Sequence, residues 1–95
     1  MFWTGSQVDI TGGVFGHLLC DYERETRPNI FDYLRRHLDG DWGKLGGSDQ
    51  RYNDEDVAAG QGALSRYTMP DGETDIYIST EWSRQFTTIC LVSEY

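Results

Sequence analysis

Hydrophobic positions recur along the chain with two periods, and the change falls at Gly60-Gln61-Gly62. Upstream the spacing is helical. Ile30, Tyr33, Leu34, His37 and Leu38 stand at i, i+3, i+4, i+7 and i+8, which is one helix face; Asp32, Arg35, Arg36 and Asp39 fall on the others. Pro28-Asn29 opens this helix, and Gly40 closes it because glycine takes the left-handed conformation without a Cβ clash. An earlier stripe of Val14, Phe15, Leu18, Leu19 and Tyr22 predicts a helix capped by Thr11. Gly12, Gly13 and Gly16 weaken it by roughly 1 kcal/mol each against alanine. Gln7 to Ile10 alternates polar and apolar and predicts a short strand before it. Ser48-Asp49 introduces a third helix over Arg51 to Ala59, whose thin stripe of Tyr52, Val57 and Ala58 suits a surface position.

Downstream the period becomes two. Ala63 to Met69, Thr74 to Thr80 and Phe86 to Val92 predict strands, with Ile76 and Ile78 on one face and Tyr77 on the other. Pro70-Asp71-Gly72-Glu73 is a turn between the first two. Helices followed by strands predict a single α+β domain over residues 1–95. A small antiparallel sheet, the C-terminal three-strand meander plus a possible N-terminal strand, packs against two or three helices. A chain of this length buries only about two-thirds of its unfolded surface, so its core is small and leans on its three tryptophans, six tyrosines and four phenylalanines.

Charge narrows the function. Sixteen acids face eight bases, for a net charge of −8. That balance opposes direct binding of nucleic acid or of an anionic membrane, both of which need a positive face. It suits solubility, a basic protein partner, or mimicry of nucleic acid. Two cysteines far apart, no secretory leader and no apolar run of membrane length predict a cytoplasmic protein with reduced thiols.

Leu34-Arg35-Arg36-His37, Gly40-Asp41-Trp42-Gly43, Leu64-Ser65-x-Tyr67, Asp71-Gly72, Thr80-Glu81, Arg84, Thr87-Thr88-Ile89 and the terminal Ser93-Glu94-Tyr95 occur in that order. From Pro28 onward the chain thereby resembles small bacterial proteins of plasmids and other mobile or accessory DNA; the first third departs from their pattern. The resemblance implies an α+β fold and a setting near mobile elements, and it implies no activity.

Constellations that could carry chemistry are sparse. His17 and Cys20, three apart, could join His37 and Cys90 in a zinc set, but structural zinc uses tight ligand pairs and Cys90 lies in an apolar run. His37 could do acid–base work, yet it shares the apolar stripe of its helix, which favours a satisfied histidine at the core edge. No nucleophile elbow, phosphate loop or calcium loop is present, so no catalytic residue, metal or cofactor is assigned. Trp42, between a helix and a glycine, reads as a packing anchor, whereas Trp82 in the last connection reads as an exposed contact.

Two acidic groups remain: Asp49, Asp54, Glu55 and Asp56, then Asp71, Glu73, Asp75 and Glu81. Joined on one surface with Trp82, they would present a polyanion to a basic groove. The leading expectation is a non-enzymatic anti-defence inhibitor, of anti-CRISPR or anti-restriction type, whose partner is a basic host protein or nucleoprotein complex. The alternatives are an adaptor binding a protein through exposed aromatics, and a small hydrolase or nuclease-like enzyme using His37. An exposed strand edge leaves both monomer and homodimer open.

Overall fold

The computed structural model describes residues 7–58, 62–81 and 85–95, without the side chains of residues 56–58. Strand β1 (Gln7–Ile10) leads into helix α1 (Gly12–Cys20), followed by α2 (Ile30–Leu38), α3 (Gly47–Ala58) and strands β2 (Ala63–Thr68), β3 (Asp75–Thr80) and β4 (Phe86–Leu91). A 3₁₀ turn over Val92–Glu94 ends the chain. The four strands form one sheet in the order β1-β4-β3-β2. β2, β3 and β4 are the antiparallel meander. β1 joins β4 in parallel, with Val8 opposite Thr87 and Ile10 opposite Ile89, so the sheet is mixed rather than antiparallel throughout. The cause is connectivity: a single residue separates β1 from α1, and β1 reaches β4 across the whole chain.

Alternation divides the sheet into two faces. Tyr67, Ile76, Ile78 and Ile89 point to the helices and meet Val14 and Leu18 of α1 and Ile30 of α2, with Val8, Ile10, Tyr33, Leu34 and Leu91 around them. Of the five-residue stripe expected on α1, Val14 and Leu18 are buried, Phe15 and Leu19 face outward, and Tyr22 lies past the helix end. His17 takes the inward position instead. Caps fall where the sequence places them. Thr11 accepts from the Val14 amide and Asn29 from the Phe31 amide.

The third helix begins earlier than its apolar residues suggest, because the Gln50 amide bonds back to the Gly46 carbonyl and the Gln50 side chain to Leu45. It docks by a polar side chain. Buried Asn53 donates to the Leu64 carbonyl at 2.5 Å and accepts from the Leu64 amide at 3.2 Å, imitating one rung of a neighbouring strand. Two residues on, the Arg66 amide and carbonyl are met by the Trp42 carbonyl and the Lys44 amide. The outer edge of β2 is thus covered by a helix side chain and a loop, a protection against edge-to-edge pairing. Asn53→Ala is expected to leave the Leu64 groups without their partner and to cost about 1–2 kcal/mol, read from the urea midpoint. An unchanged midpoint would mean that α3 is held by other contacts.

Candidate functional site

The Gly40-Asp41-Trp42-Gly43 corner is built from the end of α2. Gly40 has φ +84°, the Asp41 amide bonds to the Arg36 carbonyl and the Gly40 amide to the His37 carbonyl, a Schellman closure. The Asp41 carboxylate then accepts from the Gly43 amide at 3.1 Å and from Arg36 Nε at 2.7 Å, and the arginine holds its pKa below the usual carboxylate range. The Tyr67 hydroxyl donates to the Asp41 carbonyl, and the Arg36 guanidinium lies 4.5 Å over the Tyr67 ring. Gly43 (φ +69°) has no room for a Cβ, which would run into the Arg66 carbonyl and the Tyr67 ring. Trp42 is buried, as an anchor should be, and its Nε1 donates to Asp54 at 2.8 Å.

Beneath this corner lies His37, wholly buried. Nδ1 is 2.5 Å from the Ser65 hydroxyl, Nε2 is 2.9 Å from that of Thr80, and Thr80 continues to Thr87 at 2.8 Å. Rotating hydroxyls supply whichever role each ring nitrogen leaves open. Burial pushes the imidazole pKa down to about 4. The other histidine sits at the far end of α1. Buried His17 meets the Asp21 carboxylate at 2.6 Å through Nδ1 and the Tyr22 hydroxyl at 3.1 Å through Nε2, with an Asp71 oxygen 3.8 Å away. Burial raises the Tyr22 pKa. This cluster ties α1 to the β2–β3 turn. The i, i+4 spacing of His17 and Asp21 was its only sequence signal; Tyr22 and Asp71 arrive through the fold.

The four members of the conceivable zinc set are dispersed. Cys20 is exposed, Cys90 is buried on the sheet face away from α1 and α2, and the two histidines are engaged as above. Among the described residues no three His, Cys, Asp or Glu side chains gather as metal ligands, and no helix is long and apolar enough to cross a membrane.

The acidic candidates have different surroundings. Asp49 and Glu55 are exposed on α3, while Asp54 is bonded to Trp42. Asp71 accepts from the Glu73 and Thr74 amides at 2.9 Å and from the Thr74 hydroxyl at 2.6 Å, and these bonds hold its pKa at about 2. Glu73 stands exposed at the same turn, bordering an open cleft of about 350 Å³ that Arg66, Asp75 and Leu91 also line. Asp75 is the most enclosed. Thr68 Oγ1 (2.7 Å), Arg66 Nε (2.8 Å) and Lys44 Nζ (3.3 Å) surround it, and the threonine bond leads the lowering of its pKa. Glu81 is exposed where β3 ends. The side chain of Asp56 and all of Trp82 lie outside the described residues.

The second acidic group is divided between the two ends of the hairpin. Asn53 holds α3 to Leu64, and Ala63 pairs with Thr80 at the Glu81 end of the hairpin; Asp71 and Glu73 occupy the other end. A strand of this length sets Glu81 on the order of 15–20 Å from the Asp71 turn. Both acidic groups nevertheless share one unit. From Gly47 to Glu81, α3 and the hairpin carry eight carboxylates against Arg51 and Arg66, so −6 of the net −8 belongs to them. No family model, curated protein or solved structure matches the chain.

Proposed function

We propose that the protein is an acidic binding protein whose α3–hairpin unit occupies a basic, nucleic-acid-binding surface of a host effector, as an anti-CRISPR or anti-restriction inhibitor does. The observation that carries this reading is the segregation of charge: −6 on one unit, and none on the outer face of α1. Helix α3 and the hairpin carry these carboxylates on one chain segment, and a partner's arginines and lysines would meet them in place of nucleic acid. The resemblance to mobile-element proteins supports the same setting.

The test uses a purified CRISPR or restriction effector bound to labelled duplex DNA. Added protein should displace the duplex, and its affinity should fall steeply as salt rises. Reversing Asp54 would also disturb Trp42, so the informative variant is Asp49→Lys/Glu55→Lys/Glu73→Lys, built on exposed carboxylates. It is expected to bind at least about ten-fold more weakly while melting like the parent. Binding that survives both high salt and the reversal would replace this reading by an adaptor acting through aromatic side chains.

Acid–base chemistry is the second reading; besides His37 it has a candidate in His17, whose ring nitrogens have the Asp21 carboxylate at 2.6 Å and an Asp71 oxygen at 3.8 Å.

A further inference from the structure

We propose that the open cleft between the β2–β3 turn and the end of β4 seats one arginine side chain of the partner, a site that rests on the basic-partner reading above. The cleft has a volume of about 350 Å³. Glu73 and Thr74 reach it from the turn, and Leu91, Val92 and Ser93 from the end of β4 and the 3₁₀ turn that follows.

Three carboxylates stand at this end of the hairpin, and two are bonded. Asp71 accepts from the Glu73 and Thr74 amides and from the Thr74 hydroxyl. Asp75 accepts from Thr68, from Lys44 and from Arg66, whose Nε and Nη2 both lie 2.8 Å from one of its oxygens. The Glu73 carboxylate accepts no hydrogen bond and enters no ion pair among the described residues. Arg66 cannot serve it from within the chain, since its guanidinium is held by Asp75 and lies 5.6 Å over the Tyr77 ring.

Bonded groups keep their charge, so all of them count. Of the residues lining the cleft Arg66 is +1 and Asp75 and Glu73 are −1 each, which leaves −1. Next to them, Lys44 on Asp75 and Asp71 at the turn cancel. The unbalanced charge is that of Glu73, in a unit of −6, and it draws in a cation.

The apolar lining selects a long side chain over a bare cation. An ion pair open to water contributes little by itself. Here half-buried Leu91 and Val92 place apolar surface in the same cleft as the unbonded carboxylate. Arginine and lysine lay their methylene stems on such a surface and keep the charged head in water. The two unbonded oxygens of Glu73 match the planar fork of a guanidinium, whereas a lysine ammonium meets them only as a point charge. The Thr74 and Ser93 hydroxyls supply acceptors for the remaining N–H groups.

The test titrates the intact chain with Nα-acetylarginine methylamide at low salt and follows its amide NMR shifts. Saturable shifts should centre on Glu73, Thr74 and Ser93, with a dissociation constant on the order of 1–10 mM. Nα-acetyllysine methylamide should bind at least about three-fold more weakly. Glu73→Gln, at an exposed position, should weaken arginine binding at least about five-fold with the melting curve unchanged. Glu55→Gln makes the same change of charge on exposed α3 and should leave binding within about two-fold. The absence of saturable shifts, lysine binding as tightly as arginine, a Glu73→Gln variant that binds like the parent, or an equal loss in both variants would overturn the seat. No effector takes part, so the two readings fail separately. Arginine binding by a protein that displaces no duplex from any effector would keep the seat and remove the inhibitor. Displacement by a protein that binds no arginine would do the reverse.

Discussion

Trp42→Ala is expected to destabilise the fold by about 3–5 kcal/mol, the range for truncating a buried large aromatic side chain. In a domain of this size that lowers the melting temperature by roughly 15 °C or more. The loss has two parts. The larger is the vacated volume, because Trp42 is 3% exposed and its ring meets His37 edge-on at 5.7 Å. Neighbours cannot collapse into the space: Gly43 is held in the left-handed region against Arg66, and the Trp42 carbonyl receives the Arg66 amide. The smaller is the hydrogen bond from Nε1 to Asp54, which anchors α3 to the corner. Trp42→Phe keeps most of the ring and removes that donor. It should therefore cost about 1–2 kcal/mol, since water can serve the partly exposed carboxylate. Urea denaturation of both variants separates the parts. A cost below about 1 kcal/mol for Trp42→Ala would show that the corner does not close the core.

Acid should weaken the protein before its carboxylates protonate, and His37 is the reason. Folded, the ring is neutral down to about pH 4; unfolded, it takes a proton below its ordinary value of 6.5. Above that value both states are neutral and the group contributes nothing to the pH dependence. As pH falls from 6.5 toward 4 only the unfolded chain gains a proton, so stability drops across that window and then levels for this group. The depressed pKa corresponds to a loss of about 3 kcal/mol in full, and roughly 2–3 kcal/mol by pH 4.5. The cause is burial, which takes the imidazolium out of water, while the Ser65 and Thr80 hydroxyls satisfy the neutral ring. Carboxylates act later. Asp71, held at about 2 by its turn, loses its contribution only as pH falls below the ordinary 3.8 toward that value. Urea midpoints of wild type and His37→Asn at pH 7 and pH 4.5 give the result: the wild type should lose the extra stability, and the variant should not. Equal losses would show that His37 is solvated or paired in its charged form.

The residues that most distinguish the sequence turn out to build the corner and the chain end. Gly40, Asp41 and Gly43 form a helix stop, a side-chain-bonded turn and a close approach to β2. The terminal Ser93-Glu94-Tyr95 likewise returns to the start of α1, where the Glu94 carboxylate takes the Thr11 hydroxyl and Tyr95 packs on Tyr77 at 4.7 Å.

Local sequence determined the elements because their signals are local. The 3.6-residue stripe of α2, the caps Thr11 and Asn29, the Pro70–Glu73 turn and the alternation of Ile76 and Ile78 each depend on neighbours within a few positions. Net charge and the burial of Trp42 were legible for the same reason. The tertiary structure alone decided what depends on residues distant in the chain. It added β1 to β4 in parallel, covered the β2 edge with Asn53, and gave His37 partners 28 and 43 positions away. It also set Glu81 and the Asp71–Glu73 pair at opposite ends of one hairpin and turned Phe15 and Leu19 outward. A periodic stripe records which residues can be buried together, but only the number and placement of other elements decides which of them are. With α1 and α2 sharing one face of a four-stranded sheet, Val14, His17 and Leu18 fill the space available, and the remaining apolar side of α1 faces outward.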